Sequence, residues 1–122
     1  MTALAKALAK AFAVIVPLLA LVADRGSARA QGSSVTGETL LERCQSSETA
    51  DSSWCVGFIM GIGAVVSDST IDAKFRVCFP PDLTSDIGLL VVLRHLQENA
   101  ALLAVSGHHA VWYSLRKEFQ CS

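Results

Sequence analysis

Thirteen consecutive residues, Trp54 to Val66 (WCVGFIMGIGAVV), carry no charged or amide side chain, and the rest of the chain has to accommodate them. A membrane-spanning helix needs about 20 apolar residues, so the tract is short for that role. Strands seldom run so long, and turn-forming residues flank it on both sides, so a buried helix is expected from about Ser53 to Ser67. Gly57 and Gly61 stand four apart, which on a helix leaves one strip without side chains. Helix-dimerising membrane motifs share that spacing, but in so short a tract the expectation is a second helix of a soluble core lying close against Gly57 and Gly61. Each glycine costs helix stability, about 1 kcal/mol relative to alanine, which tertiary packing must offset.

The front of the 122-residue chain reads differently. Lys6 and Lys10 precede an apolar run, Ala11 to Ala23, which is followed by Asp24-Arg25-Gly26-Ser27 and Ala28-Arg29-Ala30. A basic segment, a short apolar core and an A-x-A ending make a secretory signal peptide, with cleavage expected after Ala30; an uncleaved anchor is the alternative. Residues 1–30 are thus read as the signal peptide and 31–122 as one domain, exported to the periplasm and free of the membrane once cut. The exported part holds six basic and ten acidic residues, a net charge of −4. Without a basic stripe, nucleic acid is not an expected partner.

Cys44, Cys55, Cys78 and Cys121 all lie in the exported part. An even count in a small secreted chain implies two disulfides, which a domain with a modest core often needs. Zinc sites favour close pairs such as C-x-x-C, and no two of these cysteines are nearer than eleven positions, so no metal is expected.

The remaining pattern is helical. Leu40, Leu41 and Cys44 give an inner face to a helix over Glu38–Gln45, with Thr36 or Gly37 as cap. A polar connector, Ser46–Ser53, leads to the central helix. Ser67–Val77 is a mostly polar loop whose Phe75 and Val77 are expected to turn back into the core. Cys78-Phe79-Pro80-Pro81 must be extended, since the second proline keeps Pro80 out of the α region. A third helix starts near Asp82–Ser85 and is apolar nearly all round, so it is buried on several sides or against a partner subunit. Ala100–Val105 is a short helix or packed link. The last helix runs from Ser106-Gly107 to about Gln120, with Trp112, Leu115 and Phe119 inside. No period-two alternation appears, so the class is all-α with four main helices. In an up-down order Cys44 lies near Cys55 and Cys78 near Cys121. The rival set, Cys55–Cys78 with Cys44–Cys121, gains slightly more loop entropy, so entropy does not decide, and the up-down order favours the first set.

Four pieces now stand in order: Gly37-Glu38-Thr39-Leu40-Leu41-Glu42-Arg43-Cys44, then Trp54-Cys55-Val56-Gly57-Phe58-Ile59-Met60-Gly61, then Cys78-Phe79-Pro80-Pro81, then Phe119-Gln120-Cys121. This order resembles the Rap/Tai family of periplasmic immunity proteins, whose pattern is G-x-x-L-L-x-x-C, C-x-G-Y-I-x-G, C-x-P and a closing F-P-C. The resemblance implies a small homodimeric helical bundle of HdeA-like shape. It also implies a partner, a peptidoglycan amidase toxin delivered by type VI secretion, inhibited by occlusion of its active-site cleft. Phe58 stands where the family has tyrosine, Gln120 replaces the proline before the last cysteine, and Ala100 replaces a proline after the third helix. An HdeA-like structural or acid-stress chaperone without a toxin partner is the alternative.

For chemistry of its own the chain offers little. His95, His108 and His109 are the catalytic suspects, but adjacent histidines diverge by about 100° on a helix and cannot share a site. No nucleophile elbow and no H-E-x-x-H pair occurs, so neither an enzyme nor a cofactor is expected. Candidate partner-binding residues are Asp68, Asp72 and Lys74 in the Ser67–Lys74 loop, either a solvated connector or an element that enters a cleft, and Tyr113, expected to face outward while Trp112 packs inside.

Overall fold

A computed structural model describes residues 34–122; the expected signal peptide and its cleavage after Ala30 lie outside the described residues. Those residues form five helices and no strand: α1 Gly37–Gln45, α2 Thr49–Val66, α3 Ser85–Glu98, α4 Ala101–Ala104 and α5 Gly107–Glu118. The all-α bundle is therefore observed, with α4 a single turn added to the four main helices.

α1 begins at Thr36, whose hydroxyl accepts the Thr39 amide at 3.2 Å. That satisfies one of the free donors of the first turn. Leu40 is fully buried, with Cys44 and Leu41 packed beside it. The Cys44–Cys55 disulfide joins α1 to α2 across a Cα separation of 5.2 Å. The other disulfide, Cys78–Cys121, ties the proline segment to the end of α5 at 5.0 Å.

α2 starts at Thr49, four residues before the expected Ser53. Thr49, Ala50, Asp51 and Ser52 are polar or small enough to make an outward first turn, and Asp51 complements the positive helix end. Of its eighteen residues only Cys55, Ile59 and Gly63 are buried, one row with a spacing of four. Gly57 and Gly61 lie about 200° round from that row and face outward. A Cβ at either would meet nothing within 4 Å, so the expected packing of a core helix against Gly57 and Gly61 is corrected. The glycine that takes close packing is Gly63, where a Cβ would stand 3.6 Å from the Phe79 ring.

α3 also has one inner stripe, Gly88, Val91, Val92 and Leu96. Ile87 and Leu90 are left exposed, Leu90 by 65%. α5 contributes Ala110, Val111, Ser114 and Leu115 to the core. The buried Ser114 hydroxyl donates to the Ala110 carbonyl at 2.7 Å, so its burial leaves no unmet hydrogen bond. Short pairings close the ends. Thr36 bridges Ser106, and Val77 bridges Gln120. Phe79 meets Phe119 edge-to-face at 5.4 Å between centroids, above the second disulfide.

Candidate functional site

The 67–77 connection leaves α2 and returns to the core at Val77, which is 1% exposed. Its first half is a turn built by Asp68, whose carboxylate accepts both the Thr70 hydroxyl (2.6 Å) and the Thr70 amide (2.7 Å). Those two donors, the hydroxyl foremost, hold the Asp68 carboxyl below its ordinary value of 3.8. Its second half is a helical turn: the Phe75 and Arg76 amides donate to the Asp72 carbonyl at 2.8 and 3.0 Å. The Asp72 carboxylate accepts the Lys74 amide at 3.0 Å and lies 3.6 Å from the Lys74 ammonium. Each aspartate thus uses one carboxylate oxygen to shape the loop backbone.

α5 fastens this loop to the bundle. The Trp112 indole N–H donates to the Phe75 carbonyl at 2.7 Å. The Arg116 guanidinium donates to the Lys74 carbonyl at 2.7 Å and the Arg76 carbonyl at 3.1 Å. Arg76 in turn donates to the Ser69 carbonyl at 3.1 Å, tying the start of the loop to its end. With three consecutive carbonyls turned inward, the Lys74 and Phe75 side chains point out. Phe75 is 51% exposed, so its expected return to the core is corrected; Val77 alone makes that return. The Lys74 ammonium lies 4.9 Å from the Phe75 ring centroid, a cation–π contact.

Asp72 and Lys74 are therefore brought together, Asp68 lies on the same loop against Thr70, and Tyr113 stands apart. One residue on from Trp112 it is turned about 100° away from the loop. It is half-buried against the core rather than outward, with Lys117 above its ring. Trp112 is half-buried too, packing on the core with its ring while its N–H serves the loop. Phe75, Trp112 and Arg116 are the participants that sequence reasoning missed. The one legible trace was the spacing of four that sets Trp112 and Arg116 on one face of α5.

The histidines are dispersed. His95 reaches Glu118 of α5 at 3.1 Å, in a group with Arg94. His108 meets the Ser106 hydroxyl at 3.2 Å, and His109 packs on Trp112. No three His, Cys, Asp or Glu side chains converge on a possible metal position among the described residues. A second surface feature is apolar. A groove of about 230 Å³ separates α2 (Met60, Gly63, Ala64) from the start of α3 (Thr84, Gly88), with Phe79 in its floor.

Compared with known proteins, residues 36–121 match the family model described as Rap1a immunity proteins. The match runs from the cap of α1 to the last cysteine and so takes in every described helix and both disulfides. No curated protein and no solved structure matches the chain.

Proposed function

We propose that this chain, which belongs to the Rap1a immunity protein family, inhibits a peptidoglycan amidase toxin delivered by type VI secretion, by filling the toxin's active-site cleft. The observation that carries the reading is the family match across the whole described fold. An immunity protein works by binding and needs no reactive group of its own. The 67–76 loop is the inhibitory element in this reading, since most of it is exposed yet it is held by hydrogen bonds within itself and to α5. Site of action and export go together: a cell-wall amidase acts in the periplasm, and the residues before the fold supply the signal peptide.

The protein acts as a homodimer in this reading. α2 is apolar and long enough to cross a membrane, yet only 17% of it is buried within the fold. Val56, Met60 and Val65 stand exposed along it, beside the bare strip at Gly57 and Gly61. A second copy's α2 laid against that strip would remove those side chains from water, the main driving force for such association.

The test is periplasmic co-expression with candidate amidase toxins, scored by lysis. Protection with a matching purified complex is expected for one of them. Protection against none, with binding to none, ends the inhibitor reading. The same exposed apolar face of α2 favours a chaperone of HdeA-like type as second reading, which suppression of client aggregation at low pH would support. The two disulfides oppose it, because they restrain the unfolding such a chaperone uses.

A further inference from the structure

The 67–77 loop presents one aromatic ring among charged side chains. In it one Asp68 oxygen accepts from Thr70, while the Asp72 carboxylate accepts the Lys74 amide and lies 3.6 Å from the Lys74 ammonium. Beside these exposed carboxylates the Phe75 ring points outward, with the Lys74 ammonium 4.9 Å from its centroid. The ring does so because the backbone beneath it is gripped. Trp112 and Arg116, one turn apart on α5, capture the carbonyls of residues 74, 75 and 76. The amides of Phe75 and Arg76 are used at the same time by the Asp72 carbonyl. Immediately beyond, Val77 is bridged to Gln120 and Cys78 is bonded to Cys121, so the grip sits against the best-anchored end of the loop.

We propose that Trp112 and Arg116 are positioning residues that hold Phe75 and Lys74 preformed as the anchor of toxin binding, fitted to an apolar slot with a carboxylate at its rim. This rests on the immunity reading for the partner, and on the geometry alone for the clip. Large aromatic side chains dominate interface energetics when they fill a pocket, and a loop already fixed in its bound shape loses less entropy on binding. Two of the three clip bonds come from a charged donor, which makes them the stronger kind. The Lys74–Asp72 pair is exposed on both sides, so it is weak and Lys74 can exchange Asp72 for a partner's carboxylate.

The clip is tested first without any toxin. Lys74 and Arg76 are both trypsin sites, and the clip holds their carbonyls. In the oxidised, exported protein, Trp112→Phe (which keeps a ring and removes the N–H) and Arg116→Gln should each speed cleavage after Lys74 by about tenfold, the factor that follows from losing roughly one hydrogen bond. Arg116→Lys should fall between. Amide exchange should quicken at 69–77 and stay unchanged in α1 and α3. Unchanged cleavage in both variants overturns the clip, as does acceleration that merely follows a general loss of protection.

The second arm uses the toxin that co-expression identifies, by calorimetric titration. Phe75→Ala should weaken binding by about 30-fold or more, the scale of an interface anchor, whereas Glu42→Gln on α1 should leave it unchanged. A toxin that binds wild type and Phe75→Ala equally overturns the anchor and leaves the immunity reading standing. If wild type binds no toxin the immunity reading falls and the anchor with it, while the proteolysis still decides the clip.

Discussion

Gly37→Ala is the substitution the fold should tolerate least. Gly37 opens α1 directly beneath the one-turn helix α4, and a Cβ there would lie 1.9 Å from the Leu102 carbonyl oxygen and 2.8 Å from its carbon. Both obstacles are backbone, so no side chain can rotate away. Ordinary contact begins at 3.4 Å, so the seam between α1 and α4 must open by about 1.5 Å. That shift would stretch the Gly37 amide bond to the Val105 carbonyl, now 2.9 Å, and pull on the Thr36–Ser106 bridge. Overpacking of this kind costs about 1–3 kcal/mol, and a lost hydrogen bond about 1 more. Alanine's helix preference returns at most about 1 kcal/mol. The net loss is about 1–3 kcal/mol, which in a domain of this size lowers the melting midpoint by roughly 5–20 °C. Thermal melts followed by circular dichroism, with both disulfides intact, measure it, and Gly57→Ala serves as the control because nothing lies within 4 Å of its Cβ position. A Gly37→Ala protein melting within about 2 °C of wild type, or a Gly57→Ala protein damaged as badly, would show that the close approach was misjudged.

Other outcomes follow from the same geometry. Gly61→Ala should stabilise the dilute monomer by about 0.5–1 kcal/mol and shift sedimentation profiles away from dimer; stabilisation with no change in association would remove the strip from the interface. Replacing both Cys78 and Cys121 by serine should cost about 4 kcal/mol, and replacing Cys44 and Cys55 about 3, the longer loop losing more; denaturant titration reads both, and the reverse order would contradict the loop-entropy account. For Asp68, whose carboxyl is held below 3.8 by Thr70, the folded-state value is depressed. Its contribution to the turn is complete above that ordinary value and is lost as pH falls through the lowered one. Exchange protection of the Thr70 amide should therefore hold from neutral pH down to about that value and disappear below it, and Asp68→Asn should lose the effect; protection that fades near pH 6 would point elsewhere.

Local signals in the chain were sufficient for the helices and insufficient for their outer faces. Thr36 and the double proline at 80–81 mark helix starts through local hydrogen bonding and sterics, and those starts were readable. The start of α2 was missed because Thr49–Ser52, polar and outward-facing, resembles a polar connector. Gly57 and Gly61 misled because spacing tells which residues share a strip, and only packing tells which way that strip turns. In α2 nearly every face is apolar, so hydrophobicity could not orient it; the row Cys55–Ile59–Gly63 was selected by the disulfide and by Phe79. At the loop, Asp68, Asp72 and Lys74 were found from their place between helices. Phe75 was misassigned because an aromatic in a polar segment ordinarily seeks the core, and the grip that prevents this comes from α5, forty residues away.

The two disulfides join the first cysteine to the second and the third to the fourth. A chain threading into an oxidising compartment from its N-terminus offers its thiols in that same order. An oxidase that simply couples each newly arrived thiol to the one before it makes the native set, with no wrong bond to undo. Maturation should therefore proceed in a host that lacks a disulfide isomerase.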